Sequence, residues 1–359
     1  MNQSIRFVVE SLPDRVAVER LWRGLDRDGT HSFFLSWTWI GTLLRLMTKR
    51  PFLLKAMAGD ELIGAALLSP AEARLRGLLR VHQAWFNASG DERLDAVMIE
   101  HNGFAGGDRA LWPDFLRWFE KQGFADELVV PGIDPPEALE GRLMVLDKLS
   151  HGYSTPLKSL GPGGVASAIS ANARQQLRRS LRDYGETAVL DRAGDVPAAL
   201  AYFEGLKTLH IRSWTRRGRP HAFASPLFEK FHRALIAAGT DDGSVDLLRV
   251  QAHGRVIGYL YNFRRNGVVS SYQSGFDDED PNLRPGYVCH ALAIGHYARA
   301  GDSTYDFLAG TNRLKQSFGL ERYELVWRCY RKPTLGFMAE HAARRVAHLA
   351  KKMARSREI

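Results

Sequence analysis

The stretch "LLRVQAHGRVIGYLYN" (Leu247 to Asn262) places two apolar-rich runs about a His-Gly pair, the pattern of two strands joined by a tight turn. Nearly two hundred residues earlier the chain reads "LLKAMAGDELIGAALL" (Leu53 to Leu68), with the turn at Gly59-Asp60. At an offset of 194, five of sixteen positions are identical: Leu53/Leu247, Leu54/Leu248, Ala58/Ala252, Ile63/Ile257 and Gly64/Gly258; Lys55 is matched by Arg249. The order after each hairpin also repeats: a strand, a loop, a helix ending in Gly (Gly123, Gly301), then a short strand ending in Gly (Gly132, Gly310). Shared order and shared residues together predict an internal duplication.

Working outward, helical periodicity is read over Val16 to Leu25, over "SWTWIGTLLRLM" with Ser36 as N-cap, and over "ALWPDFLRWFEKQG". Strands are expected at 5–10, 82–87, 142–149 and in "DELVVPGI", and "LDAVMIEHNGF" reads as a strand or mixed segment. "SHGYSTPLKSLGPGG" has the composition of a linker or mobile loop. Beyond it come the basic helix "ANARQQLRRSLRDYGE", a strand "TAVLD", two more helices, and the second hairpin with its following elements. Interleaved helices and strands give the fold class α/β (α+β mixed): two modules, each a mixed, mainly antiparallel sheet flanked by helices. The expected division is 1–150, a linker at 151–170, a second module at 171–332, and a basic amphipathic helix at 333–359.

A chain of 359 residues, 45% hydrophobic and 25% charged, exceeds one ordinary domain. It has no run of 18 apolar residues, and its start, "MNQSIRFVVESLPDR", lacks the layout of a signal peptide, so a cytoplasmic location is expected. Cys289 and Cys329 sit in apolar patterns without CxxC spacing and are read as core thiols, not metal ligands. Residues 331–359 carry eight Lys/Arg against Glu340 and Glu358, which is 8 − 2 = +6 of the net +9. Such a tail permits contact with an anionic membrane surface or docking on the protein.

A helix start is an anion site, because its first N–H groups are unpaired and the helix dipole points there. "NLRPGYVCHALAIGHYA" offers such a start after the second hairpin, with Arg284 adding a cation and Gly286 allowing close approach. The runs "LHIRSWTRRGRPHAF", "GYLYNF" and "YQSGFDDEDPNLRPGYVCHALAIGHYARAGDSTYDFLAGTNRLKQSFG" resemble the C-terminal half of CelD/BcsL-type GNAT acetyltransferases, double-GNAT proteins related to the FemAB peptidyltransferase group and often associated with exopolysaccharide genes. The residues that carry the resemblance are Leu209, His210, Trp214 and Gly218; Gly275, Phe276 and Asp277; Pro285 and Gly286; and Asp306, Phe307, Leu308, Gly310 and Lys315. Arg284 stands where the family has Ser, and Leu314 where it has Tyr. The resemblance covers residues 170–330 best. It implies an acyl-CoA, acetyl-CoA foremost, held at Arg284, Gly286, Tyr287 and Val288, with no metal.

Acyl transfer needs a neutral nucleophile, a proton acceptor titrating near the working pH, and stabilisation of a developing oxyanion. His210 is the candidate base, Asp306 a second acceptor, and Tyr272 the candidate acid for a departing thiolate. Arg174, Arg178, Trp214, Asp277 and Lys315 are the candidate substrate contacts. Arg174, Arg178 and Arg182 share one helix face, and Arg212, Arg216, Arg217 and Arg219 form a second cluster that could line the same cleft. The first module, with Asp108 near its helix start, is expected to be a scaffold without cofactor. The expected partner is a small-molecule or saccharide-linked acceptor; nucleic acid enters only as the tRNA of an aminoacyl-tRNA-dependent transferase, the alternative enzyme, and a non-catalytic RNA- or membrane-binding module is the alternative to an enzyme.

Overall fold

The computed structural model describes residues 4–26, 32–75, 79–107, 109–134, 144–280 and 282–340. The first half of the chain contributes β1 (Ile5–Ser11), α1 (Arg15–Leu25), α2 (Trp37–Leu46), β2 (Phe52–Ala58), β3 (Glu61–Leu75), β4 (Leu79–Phe86), α3 (Leu111–Glu120), β5 (Glu127–Ile133) and β6 (Met144–Pro156). The second contributes α4 (Val165–Ala168), α5 (Ala171–Asp183), β7 (Val189–Arg192), α6 (Val196–Arg216), α7 (Pro226–Gly239), β8 (Val245–Ala252), β9 (Arg255–Arg265), β10 (Val268–Phe276), α8 (Pro285–Arg299), β11 (Thr304–Ala309), α9 (Arg313–Phe318) and β12 (Glu321–Arg331). Helix starts follow the capping rule: Ser36 Oγ accepts from Trp39 N, Ser170 from Ala173 N, and Asp195 from Ala198 N.

The two hairpins agree to the residue. In β2–β3 the register shifts between Ala56 (opposite Gly64) and Met57 (opposite Leu62). In β8–β9 it shifts between Val250 (opposite Gly258) and Gln251 (opposite Val256), each position 194 further on. The expected mixed, mainly antiparallel architecture is present, with β4–β5 and β10–β11 the parallel pairs.

The two sheets form a single one of twelve strands, in the order β1-β2-β3-β4-β5-β12-β6-β11-β10-β9-β8-β7. The last strand of each half has crossed over: β6 pairs with β11, β12 pairs with β5, and the two pair with each other from Glu321/Ser154 to Arg331/Met144. This corrects the reading of "SHGYSTP" as linker, since β6 runs through it to Pro156. Gly152 was a loop signal in sequence; here a Cβ would collide with the ring of Tyr323, so glycine serves close packing between two strands. "LDAVMIEHNGF" forms no strand and runs as turns and irregular backbone.

On one face α1 and α2 of the first half share a core with α6 and α7 of the second, through Trp39, Phe34, Phe231 and Phe263. On the other face α3 packs separately from α5 and α8. The tail begins by docking: Phe337 is buried under the Arg331 guanidinium, which also pairs with Glu340, and 335–340 are helical. The rest of the expected basic helix lies outside the described residues. Among them, no helix is long and apolar enough to cross a membrane.

Candidate active site

β10 and β11 pair only from Val268/Thr304 to Ser270/Asp306 and then part. A bulge marks the point on each strand: Tyr272 is the extra residue of β10 against β9, and β11 gains one residue against β6 between Asp306 and Ala309. Bulges re-aim side chains where pairing stops. Here they open a cavity of about 580 Å³ along Ser271 to Phe276. His210 and Trp214 of α6, with Arg217 just past its end, line it on one face of the sheet; His290 of α8 and Leu314 and Lys315 of α9 line it from the other, and the first half adds Met98. The cavity therefore passes through the sheet.

His210 is 4% exposed and its Nδ1 lies 3.1 Å from the Ser274 carbonyl. A carbonyl only accepts, so Nδ1 carries the proton and Nε2 presents a lone pair; Nε2 is buried without a hydrogen-bond partner. Burial, and secondarily His221 and Arg217, hold its pKa below the ordinary value of 6.5 against the opposing carbonyl bond. The ring stacks on Trp214 at 5.3 Å. α6 reaches β10 this closely because Gly275 has no Cβ; one there would collide with the Leu206 carbonyl.

Tyr272 lies at the β10 bulge among Phe263, His232 and Phe34. Burial and then the Glu100 carboxylate push its pKa up, so the hydroxyl stays protonated, with a backbone hydrogen bond from Met98. Lys315 Nζ donates to Ala309 O (2.6 Å) and Leu308 O (3.3 Å) while bordering the cavity. Burial lowers its pKa, and the Glu100 and Asp306 carboxylates act against that.

Asp306 does not join this group. Its side chain points to a second cavity, of about 490 Å³, where Oδ2 lies 3.0 Å from His101 Nε2 and Oδ1 accepts from Tyr323 OH (2.7 Å) and Leu308 N (2.8 Å). Neighbouring residues on a strand face opposite ways, and Phe307, not Asp306, lines the His210 cavity. Burial would lower the His101 pKa, but bonds to Asp134 and Asp306 outweigh it and raise it to about 10.

Arg284, Gly286, Tyr287 and Val288 open α8, though their side chains turn to structural partners. Arg284 bonds Gln176 of α5 and lies over Tyr287, Tyr287 OH meets Ser317 at 3.0 Å, and Val288 is fully buried. A Cβ on Gly286 would sit 2.8 Å from Leu314 and 3.2 Å from Phe276, two cavity residues, so the cavity abuts the first turn of α8.

The arginine clusters do not meet in one cleft. Arg174 caps α4 through the Ile169 carbonyl, and Arg178 is exposed on α5. Arg212 pairs with Asp277 (2.6 Å) and Glu279 (2.7 Å), and Arg216 and Arg217 both pair with Asp278. The basic end of α6 and the acidic run 277–280 thus neutralise each other, which corrects the expectation that the second arginine cluster lines one cleft with the first and that Asp277 is free to meet a substrate. Among the described residues no group of three or more His, Cys, Asp or Glu could hold a metal.

The matching parting of β4 and β5 is plugged by the chain's own loop. Asn102 donates through Nδ2 to Phe86 O and Pro131 O, both at 3.0 Å, and through its backbone N–H to Gly132 O. A Cβ on Gly132 would collide with Ile99 O. Asp108 lies outside the described residues. Glu100, His101, Tyr323 and Ser274 had not been singled out in sequence; the one signal was the polar pair Glu100-His101 closing the apolar run "AVMI".

Residues 171–316 match the family model described as acetyltransferase (GNAT) domain. No curated protein matches the sequence significantly. Among solved structures, FemX has a similar fold, with a TM-score of 0.55 at 10% identity over 89% of this chain and 96% of that one. The C-terminal domain of a putative lysylphosphatidylglycerol synthetase from Agrobacterium fabrum gives 0.51 at 12% identity over 88% and 93%. Residues 171–316 are thus similar to GNAT-type acetyltransferase domains, and they sit within a fold similar over most of the chain's length to that of FemX.

Proposed function

We propose that the chain moves an acyl group, acetyl foremost, from acyl-CoA to an amine or hydroxyl of a small-molecule or saccharide-linked acceptor, in the manner of the CelD/BcsL-type proteins. The observation that carries the reading is His210: a tautomer fixed by Ser274 O leaves Nε2 as an unpartnered base in a cavity open to both faces of the sheet. A donor on the α8 side and an acceptor on the α6 side would meet at the parting of β10 and β11.

The residues at the α8 start fit an acyl-CoA, because the helix terminus favours negative charge and the adjoining cavity follows an unpaired strand edge. Acyl-CoA supplies a thioester carbonyl; the chain does the rest. His210 Nε2 takes the proton of the attacking amine or hydroxyl. The β10 edge and the Lys315 ammonium face the negative charge that develops. Tyr272 gives its hydroxyl proton to the departing sulfur; the proton taken by His210 then leaves to solvent and Tyr272 regains one from it, which restores both groups. The first half, with its parting plugged by Asn102, is a scaffold that holds no cofactor and walls the acceptor side.

The test is thiol release from acetyl-CoA with a panel of amino and hydroxyl acceptors, for the wild type and for His210→Asn, whose amide N–H can still meet Ser274 O. Acceptor-dependent release, reduced about 10²-fold or more in the variant, supports the reading. Release from none of the acceptors, with transfer instead from aminoacyl-tRNA and steeply weakened by salt, would replace it with the tRNA-dependent reading.

A further inference from the structure

The β11 bulge beside the cavity is strained and clamped. Leu308 is a buried residue at φ 60°, a left-handed conformation that is strained for a bulky side chain. Three charged groups hold it: Asp306 Oδ1 accepts Leu308 N, Lys315 Nζ donates to the Leu308 and Ala309 carbonyls, and Glu100 Oε2 accepts Ala309 N at 2.7 Å. Glu100 is 3% exposed, comes from the first half, and lies outside the matched 171–316 domain. Burial pushes the Glu100 pKa up, and the Ala309 N–H bond and the Lys315 charge act against that in favour of the carboxylate.

We propose that Glu100 is a positioning residue for the His210 cavity: it fixes the β11 bulge through Ala309 N–H and supplies the counter-charge that keeps Lys315 an ammonium at the cavity wall. The inference rests on the acyltransferase reading for what the ammonium does, and on geometry alone for how it is held. The groups facing Lys315 are Glu100 from the first half, Asp306 from β11 and His290 from α8, with Arg217 across the cavity. Only the first two are anionic, and Asp306 is already engaged by His101 and Tyr323. Glu100 is the carboxylate left to offset the Lys315 charge.

Glu100→Gln keeps an acceptor for Ala309 N–H and removes the charge; Glu100→Asp keeps the charge. Titrating the Nζ resonance of Lys315 in the ¹⁵N-lysine-labelled full-length protein, assigned with Lys315→Arg, reads the effect without any activity. The expected result is a midpoint lower by roughly one pH unit in Glu100→Gln and restored towards the wild type in Glu100→Asp. In the acyl-transfer assay the alkaline limb of kcat should move with it while the acceptor KM changes little. An unchanged Lys315 midpoint in a folded Glu100→Gln protein would overturn the proposal. A shifted midpoint in a protein that transfers no acyl group would leave Glu100 its role and remove the acyltransferase reading instead.

Discussion

At the scale of single residues, His210 shows how far sequence reading reaches. Its type and place marked it out as a candidate; its tautomer is set by the Ser274 carbonyl, which no spacing reveals because it lies on an element 64 positions away. Asp306 shows the opposite case: the residue matched the resemblance, yet strand alternation and the His101–Tyr323 partners turn it from the cavity. As the proposed base, His210 must be neutral, and burial depresses its pKa. The acid limb of kcat/KM should therefore fall below pH 6.5, and a limb above that value would show that another group is the base.

At the scale of elements, the hairpins were legible down to their turns because alternation and glycine placement are local. The exchange of β6 and β12 was not, since each strand's pattern is satisfied by any neighbour of suitable register. The glycines at these joins are the testable points. Gly152→Ala should destabilise the protein by about 2 kcal/mol in denaturant unfolding, because β6 and β12 must separate for the Tyr323 ring to clear the new methyl group. Tyr323→Phe keeps the ring, loses the bond to Asp306 and the 3.3 Å contact with His101 Nε2, and should cost about 1 kcal/mol. Equal costs would mean that Gly152 has another reason.

At the scale of the whole molecule, the two halves share one sheet and differ at their partings. The second half keeps an open parting with a bulge on both strands; in the first, Asn102 occupies the parting. The composition and charge of the chain could not convey this, since exchange of strands and plugging by a loop alter no local pattern. Because β11 takes its outer partner from β6, and α6 and α7 share a core with α2, a fragment spanning 157–332 should show no cooperative unfolding, whereas the full chain should unfold in one transition. A cooperatively folding fragment would show that the exchange is dispensable. The His101 contact across the halves carries a pH signature. Its pKa is raised to about 10 in the fold, so its contribution is present in full below about pH 6.5 and is lost as pH climbs towards 10. The stability difference between wild type and His101→Gln should shrink over that window, and a constant difference would remove the ionic role.

The most direct test of the central claim is a crystal structure of the protein with CoA. The thiol is expected between β10 and β11 beside Ser271 to Phe276, on the far side of the parting from His210, and the pyrophosphate at the first turn of α8. CoA bound in the first half, or no binding at millimolar concentration, would contradict it.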